Sequence, residues 1–153
     1  MNIKNLPPFS NLEKWNDANI GKNFSVFDYV HILQKTQSID PDFILAFVEV
    51  CWPEFLLFKD RVFLSDEFSI QKYESTIASE PHDKGPDFWM NLVCIDSIFE
   101  ELDFQKQKYL GFSMEKMWRA KLNIEFPERD FIVKCIVEEN EEVFCVFYQD
   151  ETS

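Results

Sequence analysis

The side chains able to do chemistry are few in kind and uneven in placement. The 153 residues hold two histidines, His31 and His82, four cysteines, Cys51, Cys94, Cys135 and Cys145, and 28 Asp plus Glu. No H-E-x-x-H spacing, histidine pair or Cys/His cluster occurs, so neither a zinc site nor any other metal site is expected. The three glycines, Gly21, Gly85 and Gly111, cannot build a P-loop or a G-x-G-x-x-G turn, and there is no G-x-S-x-G elbow. His31 follows Tyr29 and Val30 and reads as a boundary residue of a helix, while His82 stands beside Asp83 in a breaker-rich loop. Neither has a nucleophile nearby in sequence, so no catalytic residue and no cofactor is assigned.

Carboxylates are the remaining chemistry. Glu100, Glu101 and Asp103 form one group, and Glu138, Glu139, Glu141 and Glu142 form another around an expected C-terminal turn. Glycosidase chemistry or a hard-cation site needs acids from separate elements in one cleft, and no D-x-[DN]-x-[DN]-G calcium loop is present. Solvated acidic faces are the plain reading, and partner-binding surfaces the functional one. The formal charge is -13, with five acids and no base between Lys84 and Lys106 and six acids and no base after Lys134. Bases gather instead from Lys106 to Lys121. Such a surface repels nucleic acid and anionic lipid and steers a basic protein.

The elements that must carry these groups are legible from local signals. With 46% hydrophobic and 16% aromatic residues, including 17 Phe, the chain has the apolar area that disordered acidic tails lack. Residues 1 to 23, with Pro7, Pro8, Gly21 and asparagines that include Asn5, Asn11, Asn16 and Asn19, read as an irregular N-terminal arm, and residues 24 to 153 as one domain. Ser25 caps an expected helix to about Gln37, with Val26, Val30 and Leu33 on a buried stripe. Asp40 and Pro41 start a second helix that is apolar almost all round from Phe43 to Trp52, which belongs at the centre of the fold, and Pro53 stops it.

Phe55–Phe58 and Arg61–Leu64 flank Lys59-Asp60 as a hairpin, although Lys-Asp is not a favoured hairpin dipeptide. Ser69 opens a helix to about Ala78 with Ile70, Tyr73 and Ile77 on one face. After the Glu80–Pro86 loop, a helix from about Asp87 aligns Phe88, Leu92 and Ile95, and a short acidic helix follows over Ser97 to Leu102. Gly111 is read as a break, with Ser113 capping a last helix ended by Pro127. Phe131 to Val137 and Val143 to Tyr148 are paired strands joined by Glu139-Asn140-Glu141, apolar on nearly both faces and so covered on one side and partly on the other. These elements predict an α+β fold: a small antiparallel sheet of about four strands, in two hairpins, packed by four or five helices.

The cysteines lie in apolar stretches without C-x-x-C spacing and read as buried free thiols, with Cys135 and Cys145 able to face each other across the hairpin. No apolar run reaches membrane-spanning length, and the N-terminus has no export signal, so the cytoplasm is the expected compartment.

Trp52-Pro53-Glu54-Phe55, Val62-Phe63-Leu64, Met117 to Leu122 running into Phe126-Pro127-Glu128-Arg129-Asp130-Phe131-Ile132-Val133, and Phe147-Tyr148-Gln149 together resemble a family of small, uncharacterised bacterial cytosolic proteins. The resemblance covers roughly residues 40 to 149. It implies a shared fold and carries no catalytic residues. In type, though not in motif, size and acidity are also similar to those of immunity proteins. The expected function is a non-enzymatic acidic binding protein, an immunity protein or inhibitor of a basic toxin such as a nuclease. A carboxylate-based or metal-dependent enzyme and a homodimer with aromatic interfaces stand as the alternatives.

Overall fold

Local capping chemistry sets the helix starts of the computed structural model, which describes residues 9–79 and 83–150. The chain divides into a first unit ending at Phe47 and a second beginning at Val48.

The first unit contains α1 (Ser10–Ala18) and α2 (Val26–Thr36), and α3 (Pro41–Cys51) begins in it. The arm expected to be irregular therefore includes a helix. Its cause is tertiary: Leu12 is buried, Trp15 packs edge-on against Tyr29 with centroids 5.1 Å apart, and the Asn16 amide clamps Phe24 through both its main-chain groups. A nine-residue helix of this composition would not hold in isolation. α2 starts on a complete capping box, in which Ser25 Oγ accepts from the Asp28 N–H and the Asp28 carboxylate accepts from the Ser25 N–H at 2.8 Å. These bonds hold the Asp28 carboxyl below its usual range. The stripe expected to be buried is not: Val26, Val30 and Phe27 are exposed, and α2 contains no buried residue.

α3 starts as expected, with Asp40 Oδ1 accepting from the Asp42 N–H and Pro41 at the first helical position. Its expected central burial is overturned, because none of its residues is buried and Phe43, Ile44, Leu45 and Val48 are exposed. What α3 gives to the core of the second unit is the partly buried Val50, packed against a cluster whose buried members come from other elements.

That unit contains β1 (Phe55–Phe58), β2 (Arg61–Leu64), α4 (Ile70–Ala78), α5 (Pro86–Met90), β3 (Val93–Cys94), α6 (Ile95–Ile98), α7 (Phe104–Glu125), β4 (Phe131–Val137) and β5 (Val143–Gln149). The α+β class holds, with two small antiparallel sheets, β1-β2 and β3-β5-β4, in place of one sheet of about four strands. The fifth strand, β3, lies where the helix from Asp87 was expected to continue. Asn91 ends that helix after five residues because its side chain is drawn into the core, accepting from the Leu64 N–H and donating to the Val62 and Phe147 carbonyls. Leu92 and Ile95 thus share no helix face with Phe88.

β4 and β5 pair from Phe131 opposite Gln149 to Val137 opposite Val143. α7 covers one face, where Met114, Trp118 and Leu122 meet Val133, Val143, Cys145 and Phe147, and α5 covers part of the other, with Phe88 against Val146 and Tyr148. The break expected at Gly111 is absent, and α7 runs through it from the Asp103 cap. A Cβ on Gly111 would stand 2.7 Å from Cys135 Sγ and 3.0 Å from Val143 Cγ1, so this glycine permits close approach of helix and sheet. Ser113, expected as a cap, lies inside the helix and donates to the Tyr109 carbonyl.

The Lys59-Asp60 turn takes left-handed φ at both residues, 46° and 66°, as a two-residue type I′ hairpin requires. Side chains far along the chain hold it: Arg129 donates to the Asp60 carbonyl and carboxylate, and Gln149 Nε2 donates to the same carbonyl. In α4 the expected apolar face is only partly buried, with Tyr73 inside and Ile70 and Ile77 exposed.

Candidate functional site

The sheet register brings the two acidic groups to one end of the second unit. β3 runs towards the β4–β5 turn, since Val93 faces Cys145 and Cys94 faces Phe144, one residue from the Val143–Val137 pair that closes the hairpin. The chain leaving β3 therefore enters α6 at the turn end. α7 then crosses Cys135 and Val143 at Gly111, so its first turns reach roughly 10 Å past that end at about 1.5 Å per residue. Asp96, Glu100, Glu101 and Asp103 lie at this end with Glu138, Glu139, Glu141 and Glu142, all exposed. Two apolar side chains adjacent to these acids in sequence are also reached by water, Ile98 at 38% and Val137 at 40% exposure.

The acids differ in how firmly they are held. Asp103 caps α7, accepting from the Lys106 N–H at 2.9 Å and pairing with Lys106 Nζ at 3.3 Å, which keeps its carboxyl below the ordinary range. Asp96 accepts from Nε2 of Gln107, a buried side chain that also donates to the Leu102 carbonyl. The turn closes on a Glu138 N–H to Glu142 carbonyl bond of 2.9 Å, with Glu141 at φ 66° and the Asn140 amide donating to the Glu142 carboxylate. These bonds fix the backbone that carries the charge, an arrangement suited to presenting acids without a large ordering cost on binding. Sequence reasoning missed Asp96, Ile98 and Val137.

Much of the basic stretch from Lys106 to Lys121 is committed within the unit. Lys121 is buried, its ammonium 2.6 Å from the Pro53 carbonyl, 3.2 Å from Glu125 and 3.4 Å from Glu54. Arg119 pairs with Glu115 and donates to the Val133 carbonyl. Lys108 sits over the Phe104 ring at 4.6 Å.

Other reactive groups are built into structure. Asp87 is fully buried, its carboxylate 2.6 Å from Arg61 Nη1 and 2.7 Å from the Gln149 N–H, and so ties α5 to both sheets. Cys135 and Cys145 do meet, as direct cross-strand partners, and both are free thiols. Burial, then the nearby Glu115 carboxylate, pushes the Cys135 thiol up to about 12, and burial, with Cys135 and Glu115 adding to it, holds the Cys145 thiol well above its ordinary value. Of the four thiols Cys145 alone is buried, so the expectation that all were core residues is too strong. His31 is exposed on α2, and His82 lies outside the described residues. Among the described residues no three His, Cys, Asp or Glu side chains are grouped to hold a metal ion. Among the same residues no helix is long and apolar enough to cross a membrane. No family model, curated protein or solved structure matches the chain.

Proposed function

We propose that the protein is a non-enzymatic binding protein that docks a basic protein through the acidic end of its three-stranded sheet, as an immunity protein or inhibitor docks on a cationic toxin. One observation carries this reading: the β3–β5 register brings the chain of the first acidic group to the turn end of the sheet, where the second group, some 35 positions on in sequence, is exposed on the β4–β5 turn. Charge on the rim raises the association rate, while apolar side chains at the centre supply affinity once water is excluded. Asp87, Asn91 and Lys121, buried elsewhere in this unit, have internal partners that account for them as structure.

The test is binding of basic proteins encoded beside the gene, measured at low and physiological salt. A quadruple variant, Glu138→Gln, Glu139→Gln, Glu141→Gln and Glu142→Gln, is expected to slow association about 10-fold or more with little change in thermal stability. Complexes indifferent to both salt and these substitutions would remove the proposal's support.

A further inference from the structure

Two thiols stand opposite each other where paired strands come closest. Cys135 on β4 and Cys145 on β5 are direct partners. β4 is an edge of the three-stranded sheet, and its outward main-chain groups meet side chains of α7 instead of a further strand. The Cys135 N–H donates to Glu115 Oε2 at 2.8 Å, and the Val133 carbonyl accepts from Arg119. Groups turned outward do not bond to β5. Cys135 and Cys145 are therefore a non-hydrogen-bonded pair, and the Glu138 N–H to Glu142 carbonyl bond further along has the alternation this requires. Cα atoms in such a pair are about 4.5 Å apart, inside the window of about 4.4–6.8 Å that a disulfide spans.

Both sulfurs lie on the face that α7 covers. Cys145 belongs to the buried cluster with Met114, Trp118 and Leu122, and Cys135 packs against it. The Cys135 sulfur stands under Gly111, where a Cβ would be 2.7 Å away. Packing here asks only for small apolar side chains, which alanine or valine supply. A thiol at both positions is what a disulfide needs. Cys94, in contrast, stands opposite Phe144.

We infer that Cys135 and Cys145 form a redox switch, closing to a cross-strand disulfide in the folded chain on contact with a low-molecular-weight disulfide. Partly buried Cys135 is the attacking group and buried Cys145 the resolving one. The Cys135 thiolate attacks one sulfur of the reagent, forming a mixed disulfide and expelling the other half as a thiolate, which takes up the proton that Cys135 has lost. Cys145 then gives up its proton and attacks Cys135 Sγ, expelling the second half in the same way. Two protein thiols are oxidised to one disulfide while the reagent is reduced to two thiols, and excess small thiol runs the sequence backwards. Burial and Glu115 hold the Cys135 thiol up at about 12, so little thiolate is present near neutrality. Closure is accordingly slow and answers sustained oxidation. It ties the strands just behind the Glu138–Glu142 turn, with only the Ile136–Phe144 and Val137–Val143 pairs between, and so restrains that turn.

Incubation of the full chain with oxidised glutathione tests this by mass spectrometry, because trypsin cuts after Lys134 and leaves Cys135 and Cys145 on one piece without a further Lys or Arg. The expected result is a piece lighter by two hydrogens and free of glutathione, restored by dithiothreitol. The closed form is expected to melt roughly 5 °C higher, since the cross-link removes freedom from the unfolded chain. Amide exchange across Glu138 to Glu142 should slow in parallel. Closure should quicken about tenfold per pH unit from about 7 to about 9 as the thiolate fraction grows. Cys135→Ser and Cys145→Ala are each expected to abolish the thermal shift produced by the oxidant. A wild-type piece that keeps both thiols after days of incubation overturns the inference, as does one that retains glutathione on Cys135. Closure that occurs only in urea, with the chain unfolded, equally overturns it.

Discussion

Helices α3 and α7 reverse what their compositions suggest. Eleven residues of α3, with only Asp42 and Glu49 charged, bury nothing, whereas the 22 residues of α7, studded with Lys, Arg and Glu, bury Met114, Trp118 and Leu122 completely or nearly so. The difference lies in what each faces. α7 has a complementary surface in β4 and β5, with Gly111 letting it settle close, whereas of α3 it is the partly buried Val50 that meets this core, its carbonyl accepting from Trp118 Nε1. Hydropathy states that a segment gains from cover; only a matching surface supplies it.

The contrast can be broken first by truncation. Trp118→Ala is expected to cost about 3–5 kcal/mol in urea unfolding, against about 0.5 kcal/mol or less for Phe43→Ala measured in dilute solution. Equal losses would mean that the Phe43 ring is covered in the folded chain. Asn91→Ala leaves the Leu64 N–H and the Val62 and Phe147 carbonyls without their partner, and about 2–4 kcal/mol should be lost. Gly111→Ala sets a helix-propensity gain of about 1 kcal/mol against overpacking of about 1–3 kcal/mol. We expect a net loss, visible as a lower melting temperature; a stabilised variant would show that Cys135 and Val143 give way. In the first unit Ser25→Ala should cost about 1 kcal/mol, confined to faster amide exchange along α2.

The thiols have no effect near neutrality. A folded-state value raised above the unfolded one means that the unfolded chain loses its protons first. The thiols' contribution is therefore present below the ordinary 9.0 and is lost as pH rises from there through about 12 for Cys135. Stability of Cys135→Ala and Cys145→Ala variants should fall less steeply over that window. A slope identical to the wild type would locate the alkaline transition in other groups.

Reading the sequence recovered features whose cause is local. The Ser25, Asp40 and Ser69 starts, the Pro53 stop, both hairpins and the two-sided apolar character of the C-terminal pair depend on a few adjacent side chains or on a two-residue period. It failed at Gly111 and Asn91 for a shared reason. Glycine and asparagine usually interrupt helices. Here one is kept in a helix by Cys135 and Val143, and the other ends a helix to satisfy main-chain groups 27 to 56 residues away. The candidate site was legible as two acidic groups and not as one surface, because their meeting depends on β3, a two-residue strand with no period of its own.

The sequence by itself determined that this chain is acidic, aromatic-rich and α+β, and where most of its elements start and stop, since capping and alternation act between neighbours. Tertiary structure alone decided which apolar segment is buried, which glycine is a contact and which acids stand together. Those outcomes depend on surfaces that exist only once distant strands have paired, and no window of neighbouring residues contains them.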